Sequence, residues 1–347
     1  MTKKLMPPIS LTNRAFRELQ DEFITAPKAK TICVSDGSLW FDGFNTITYN
    51  HEGHVIKEAR AGYSEVVQYG VRSTPSRRLS GRISLLGNRG AHNYYHWMND
   101  VLPRLAVLRA SGYPLDSIDT FVTSPLRHEF QYETLQHFGI GKDRLHAGYS
   151  HVSANDILLP LFGSNSLGLN QGLWAPEFLQ KEFGPTAEGG TTNRLYISRG
   201  SNGARGISNE TELVELLDEY GFIVVKPEEH TVREQAAMFA AADIVLGPHG
   251  AGLSNIAFCK PYTSVVELFN NHIQPCFWAL SCLLQHRHYV HHCNNDYVVG
   301  DMSDETYHQS ADARRVSTFA VQTDDIRSLI DKVIADRNSD SFYPKVA

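Results

Sequence analysis

The sequence predicts the α/β class, with open, largely parallel sheets covered by helices. Three observations lead there. From residue 194 onward, short β-branched runs alternate with amphipathic helical stretches in a βαβαβαβ order. Ile244-Val245-Leu246 runs into Gly247-Pro248-His249-Gly250-Ala251-Gly252, a buried strand breaking into a glycine turn and a helix start. The Gly- and Thr-rich stretch 184–192 reads as a linker. It divides the chain into an N-terminal domain, residues 1–184, and a C-terminal domain, residues 191–347.

Taken in order, residues 1–80 suggest a helix at 16–23 and short strands at 31–34, 43–49 and 66–70. The stretch Arg72 to Arg78 is a basic loop, suited to solvent or to an anionic glycan. A strand at 83–86 and a loop at 88–92 lead to a helix over 94–110, for which Asn93 is the expected cap. On that helix His96 and Asp100 share a face, Arg104 lies one turn on, and Leu102, Leu105 and Leu108 face the sheet. Pro103 must kink this helix or lie near a first turn. Strands at 121–123 and 156–160, helices at 129–138 and 174–183, and a Gly/Asn/Ser-rich loop at 163–172 complete the first half. The second half adds strands at 194–199, 222–226, 265–269 and 288–292. Its helices are expected at 210–220 with Asn209 as cap, 231–242, 253–258 and 275–284.

Composition bounds the function. Of 347 residues, 42% are hydrophobic and 20% charged, as in a soluble globular protein. A net charge of -6 argues against nucleic acid as partner. No signal peptide and no apolar run long enough to span a membrane is visible, and five sparse cysteines read as reduced thiols, so the expected compartment is the cytoplasm.

The candidate chemistry sits on loops after strands. The turn His249, Gly250, Ala251, Gly252 offers backbone N–H groups at a helix start, which attracts phosphate. Arg199 and Arg205 follow a neighbouring strand, and two guanidiniums suit a diphosphate. Each can equally pair a surface acid. Glu267 lies near a strand end, where it either meets solvent or reaches a ligand. His96 and Asp100 can bind a hydroxyl and take its proton, or serve as a packing histidine and its paired acid. The run His286 to Cys293 holds four histidines without the spacing of a zinc motif, and reads as a polar strand facing solvent. No Asp-x-Asp pair occurs, so no metal is expected.

Three stretches carry a family resemblance. They are Asn93-Tyr-Tyr-His96-Trp-Met-Asn-Asp100-Val-Leu-Pro-Arg-Leu105, then Leu195-Tyr-Ile-Ser-Arg199 with Ala204-Arg205 and Asn209-Glu210, and Gly247-Pro-His-Gly-Ala-Gly-Leu-Ser-Asn255 with Val265-Val-Glu-Leu268. In this order and spacing, over roughly residues 80–290, the chain resembles glycosyltransferase family 61. That family includes bacterial capsular polysaccharide biosynthesis proteins and eukaryotic xylosyl- and N-acetylglucosaminyltransferases. The resemblance implies two Rossmann-like domains facing across a cleft, the GT-B architecture. It implies an inverting, metal-independent transfer of sugar from a nucleotide-sugar donor, with UDP-sugars among the candidates, to a glycan acceptor. No other cofactor is expected. Asp100 is then the expected base with His96 assisting or replacing it, and Arg199, Arg205 and the 249–252 turn hold the diphosphate. Asn255, Glu267 and Asn93 are the candidates for nucleotide or sugar contacts. A sugar-nucleotide isomerase and a non-catalytic glycan-binding protein remain as rivals on the same scaffold.

Overall fold

The computed structural model describes residues 2–4, 9–10, 23–25, 28–42, 45–61, 74–75, 77–88, 90–162, 172–185, 193–200, 205–270, 273–293 and 318–339. The helix expected before Phe23, the strand expected at 66–70 and most of the 163–172 loop and the 184–192 linker lie outside them. The chain divides into two compact units. One comprises Met1–Thr2 and Thr25–Phe183, the other Lys3–Ile24 and Gly184–Ala347. The boundary therefore differs from the expected 1–184: residues 3–24 go with the second unit. Short strands open the chain, β1 (Thr2–Lys4), β2 (Ile9–Ser10) and β3 (Phe23–Thr25), of which β1 pairs with β3.

The first unit holds two sheets. Strands β4 (Lys30–Ser35), β5 (Ser38–Phe41), β6 (Thr46–Tyr49), β7 (Arg77–Arg78), β8 (Arg82–Leu85), β9 (Thr120–Thr123), β10 (Leu145–Ala147), β11 (Ser150–Ser153) and β12 (Asp156–Leu161) build them. The five-stranded sheet runs β10-β9-β8-β12-β4, and the four-stranded one β6-β5-β11-β7. In the larger sheet only the β12–β4 pair is antiparallel. Phe41 and Val152 from the smaller sheet pack in one buried cluster with Val34, Ile83, Val122 and Ile157 from the larger. The second sheet is absent from the sequence reading, because strands as short as β7 carry no periodicity to detect. Around these sheets lie α1 (Tyr94–His96), α2 (Pro103–Ala110), α3 (Glu129–His137) and α4 (Trp174–Phe183).

The second unit is built on one six-stranded sheet, ordered β14-β13-β15-β16-β17-β2. It comprises β13 (Asn193–Ile197), β14 (Phe222–Val225), β15 (Ala242–Pro248), β16 (Ser264–Phe269), β17 (Arg287–His292) and β2. Every pairing in it is parallel. Parallel strands need both faces covered. One face buries Tyr196, Ile244, Leu246, Val266 and Tyr289 beneath α5 (Glu210–Glu219) and α8 (Thr323–Asn338). The other lies against α6 (Val232–Ala240), α7 (Cys276–Leu284) and a 3-10 helix, Ala251–Phe258. Sequence periodicity predicts the last as an α-helix from Leu253. Its start at Ala251 and its tighter winding follow from the extended turn at Gly250 that feeds it.

Double coverage corrects two expectations. Strand β17 is not a polar strand facing solvent: Arg287 through His291 are buried. Glu267, at 0% exposure, is not a solvated strand end. Asn209 also departs from its expected role as a helix cap. Its side chain makes no cap hydrogen bond. Instead Nδ2 donates to Val321 O at 2.9 Å, and Oδ1 accepts from Val321 N at 3.0 Å. The carboxamide thus ties the segment leading into α8 to the start of α5.

Candidate functional site

In the first unit, chain order runs β8, β9, β10 to one side and then returns to β12 on the other. The reversal places a crevice beyond the carboxyl end of β8, the usual ligand position in open α/β sheets. The segment after β8 enters a turn and then α1. Asn93 caps α1, its Oδ1 accepting from Tyr95 N at 2.8 Å. Residues Trp97–Val101 form a π-helical turn, closed by Leu102 N donating to Trp97 O at 3.0 Å. Pro103 has no N–H to continue an α-helix, and α2 restarts with it in the first position. Wide turns of this kind recur at functional sites.

This turn holds the predicted pair. His96 Nδ1 lies 2.7 Å from Asp100 Oδ2. The Asp100 side chain is 5% exposed and that of His96 43%. The carboxylate is therefore the inner partner and the imidazole the outer one. Gly90, at φ +80, backs onto the ring: a Cβ there would lie 2.6 Å from His96 Cδ2. Arg104 Nε donates to the Asp100 carbonyl at 3.0 Å and Nη1 to Pro160 O at 3.2 Å. Burial pulls its guanidinium down to about 10, with Asp100 opposing, so it stays charged at neutral pH. Arg104 pins the helix to β12 and sets a cation beside Asp100.

In the second unit the reversal falls between β13 and β15, since β14 lies beyond β13 and β16 beyond β15. Arg199 follows β13 and His249 follows β15. Arg199 Nη1 donates to the His249 carbonyl at 3.5 Å. A Cβ on Gly250 would lie 1.6 Å from the same Nη1. Glycine is needed here for the space it leaves, since its backbone is extended. Burial lowers the Arg199 guanidinium's pKa and Glu228 raises it. The Arg199 loop is held from below. Tyr196 Oη and Ser198 Oγ both donate to Glu210 Oε1 at 2.8 Å, and Gly200 N donates to Ser198 Oγ at 3.1 Å. The sequence motif joining these residues thus describes a clamp. Ala251 and Gly252 begin the 3-10 helix, where leading N–H groups lack intrahelical acceptors. A Cβ on Gly252 would lie 3.0 Å from Ile197 Cγ2, so the helix start packs closely on β13.

Behind the turn, Glu267 Oε1 lies 2.5 Å from His249 Nδ1 and Oε2 lies 2.9 Å from His288 Nε2. Ser281 Oγ sits 2.9 Å from His288 Nδ1. The His249 ring stacks on Phe269, centroids 5.2 Å apart. Burial pushes Glu267 well above the carboxylate range, with Arg205 pulling it back, and pushes His288 down to about 3. Arg205 adopts φ +63, an uncommon conformation for a non-glycine residue. Asn255, at 0% exposure, donates through Nδ2 to Gln235 Oε1 at 2.7 Å. Glu267 and Asn255, expected at a nucleotide, thus lie one layer beneath the surface. His288, Ser281 and Gln235 were not anticipated. The remaining histidines of β17 diverge: His291 Nε2 is 4.0 Å from Asp325, and His292 stacks on Phe269. Among the described residues no group of three or more His, Cys, Asp or Glu is placed to hold a metal ion.

Residues 94–266 match the glycosyltransferase 61 family model. The chain carries a family 61 glycosyltransferase domain. The matched region spans His96, Asp100, Arg199, Arg205, the 249–252 turn and Asn255, and stops one residue short of Glu267. A relative from Gallus gallus, the EGF domain-specific O-linked N-acetylglucosamine transferase, is 31% identical over 102 residues. That alignment covers 28% of this chain and 19% of the relative, so the chain matches about a fifth of that protein's length. Among the described residues no helix is long and apolar enough to cross a membrane.

Proposed function

We propose that this protein is an inverting, metal-independent glycosyltransferase of GT-B type, built from two Rossmann-like units and acting in the cytoplasm. It moves a sugar from a nucleotide-diphosphate donor to a glycan hydroxyl, in polysaccharide or related glycan synthesis. One observation carries the reading: Arg199, His249 and the Gly250 turn meet at the carboxyl edge of a parallel sheet where strand order reverses. That position, a cation and a glycine helix start suit a diphosphate. The absence of an Asp-x-Asp pair from the sequence supports charge stabilisation by arginines.

His96 is the better base than Asp100. With Nδ1 hydrogen-bonded to Asp100, its Nε2 carries the lone pair that accepts a proton. Asp100 orients the ring and stabilises the imidazolium. As the acceptor hydroxyl attacks the anomeric carbon, its proton passes to His96 and the new glycosidic bond forms. The bond to the donor phosphate breaks, and its electron pair leaves on the diphosphate, held by Arg199 and Arg205. The Gallus gallus relative makes N-acetylglucosamine the first donor sugar to try.

The test is a screen of nucleotide sugars for binding without added metal, then of nucleoside diphosphate release with glycan acceptors. Release that requires an acceptor supports transfer. Conversion of the nucleotide sugar without an acceptor makes the protein an isomerase, and binding without turnover makes it a glycan- or nucleotide-binding protein.

A further inference from the structure

The four side chains behind the turn form one continuous buried line: His249, Glu267, His288, Ser281. Glu267 and Ser281 are 0% exposed and His288 is 4% exposed. The line arises from register. On β17, Val290 is the partner of Glu267, so His288 is its diagonal neighbour on the same sheet face. Ser281 reaches in from α7. No packing demand requires three titratable groups in succession here, and the line ends at the turn beside Arg199.

Hydrogen-bond polarity fixes its protons. Both oxygens of Glu267 face imidazole nitrogens, and an ionised carboxylate can only accept. His288 is neutral, so its Nε2–H donates to Glu267, its Nδ1 accepts, and Ser281 O–H donates to Nδ1. His249 must then donate from Nδ1. Its second nitrogen, Nε2, is left as a lone pair when the ring is neutral and as an N–H when the ring is protonated. Only the protonated form can donate Nε2–H to a phosphate oxygen.

From this geometry we infer that Glu267 is a positioning residue: it locks His249 in the Nδ1–H tautomer, so that binding a diphosphate at the turn requires His249 to take up one proton at Nε2. This rests on the diphosphate reading of the turn. The balance is simple: one proton leaves solvent, the His249–Glu267 pair goes from one negative charge to none, and the incoming anion meets a new cation. The charged and titratable groups facing the pair are consistent with it. Arg199 holds the His249 carbonyl, and Arg205 lies near enough to draw Glu267 toward its ionised form. On α7, Cys276 is pushed up by burial and stays a thiol. On β17, His292 is pushed down to about 4 by burial and stays neutral, while the charge of His286 further disfavours protonation of His288.

In Glu267→Gln the outcome changes. An amide has one acceptor and one donor end. It can accept from His288 and donate to His249 Nδ1, which releases His249 into the Nε2–H tautomer. Neutral His249 then contacts phosphate without a proton.

The experiment is calorimetric titration of the full chain with UDP, and with inorganic pyrophosphate, in buffers of different ionisation enthalpy across pH 6–9. The wild type should take up about one proton per complex at the alkaline end, its affinity falling about tenfold per pH unit there. Glu267→Gln should take up none. Binding with no proton uptake anywhere in the range, or equal uptake by Glu267→Gln, overturns the inference and leaves the diphosphate site standing. Failure of both probes to bind the wild type overturns the site itself. A second measurement does not depend on the variant folding: 15N imidazole spectra of the unliganded wild type, assigned with His249→Asn. They should show His249 protonated at Nδ1, and an Nε2–H tautomer refutes the lock.

Discussion

Gly250→Ala is the sharpest probe of the anion site, because its effect must travel through a different residue. The added methyl would lie 1.6 Å from Arg199 Nη1 and 2.8 Å from Cζ. Carbon and nitrogen settle about 3.5 Å apart, so the guanidinium must retreat by roughly 2 Å. A hydrogen bond stretched that far no longer counts as one. Losing one bond between Arg199 and a phosphate oxygen costs about 1.5–3 kcal/mol. At about 1.4 kcal/mol per decade, UDP should bind roughly 10- to 100-fold more weakly. Stability should hardly change. The backbone at Gly250 is extended and open to alanine, and the displaced group is the far end of a flexible side chain. The assay is calorimetric titration with UDP of the wild type, Gly250→Ala, Arg199→Ala and the double variant. In the double variant the alanine methyl has nothing left to displace, so it should bind no worse than Arg199→Ala. Wild-type affinity in Gly250→Ala would refute the reasoning. So would a full additional loss in the double variant.

Three other outcomes are expected. His96→Gln should lower kcat by roughly 10²–10⁴-fold while donor affinity stays put, and Asp100→Asn should do the same by releasing the ring's tautomer; unchanged turnover in both would remove the pair from catalysis. Asn209→Ala should cost about 1–3 kcal/mol of stability in urea, with faster amide exchange across α8, because it frees both backbone groups of Val321. Acid should destabilise the fold early. His288 and His292 have folded values of about 3 and about 4, below the unfolded imidazole, so their contribution is complete above pH 6.5 and drains away as pH falls. The loss is at most about 1.4 kcal/mol per pH unit for each ring, and His292→Gln should remove its share when urea midpoints at pH 7.5 and pH 5 are compared.

What the sequence discloses here tracks how local each signal is. The strands of the second unit are legible because a doubly covered parallel strand must be a short β-branched run, as Val265-Val266 and Ile244-Val245 are. The His96–Asp100 pair is legible because partners four residues apart share a helix face. The π-helical turn that carries them has no such pattern, and Pro103 marks only where it ends. Asn209-Glu210 resembles a plain helix start, yet the competing partner Val321 lies 112 residues away. Glu267 misleads for the same reason. Its neighbours His288 and Ser281 come from another strand and another helix, and only register and coverage bring them together. Asn255 looks like a surface amide beside a glycine turn until α6 supplies Gln235.

Strand β2 leaves the ribosome among the first segments, yet Ile9 is partnered with Tyr289 and Ser10 with Val290. Some 280 residues of synthesis separate the two. During all of that time the outer rim of β17's future sheet does not exist, and the leading peptide has nowhere to dock. Completion of this half is therefore a post-translational event, and a bulky group fused ahead of Ile9 would have to be threaded into place last.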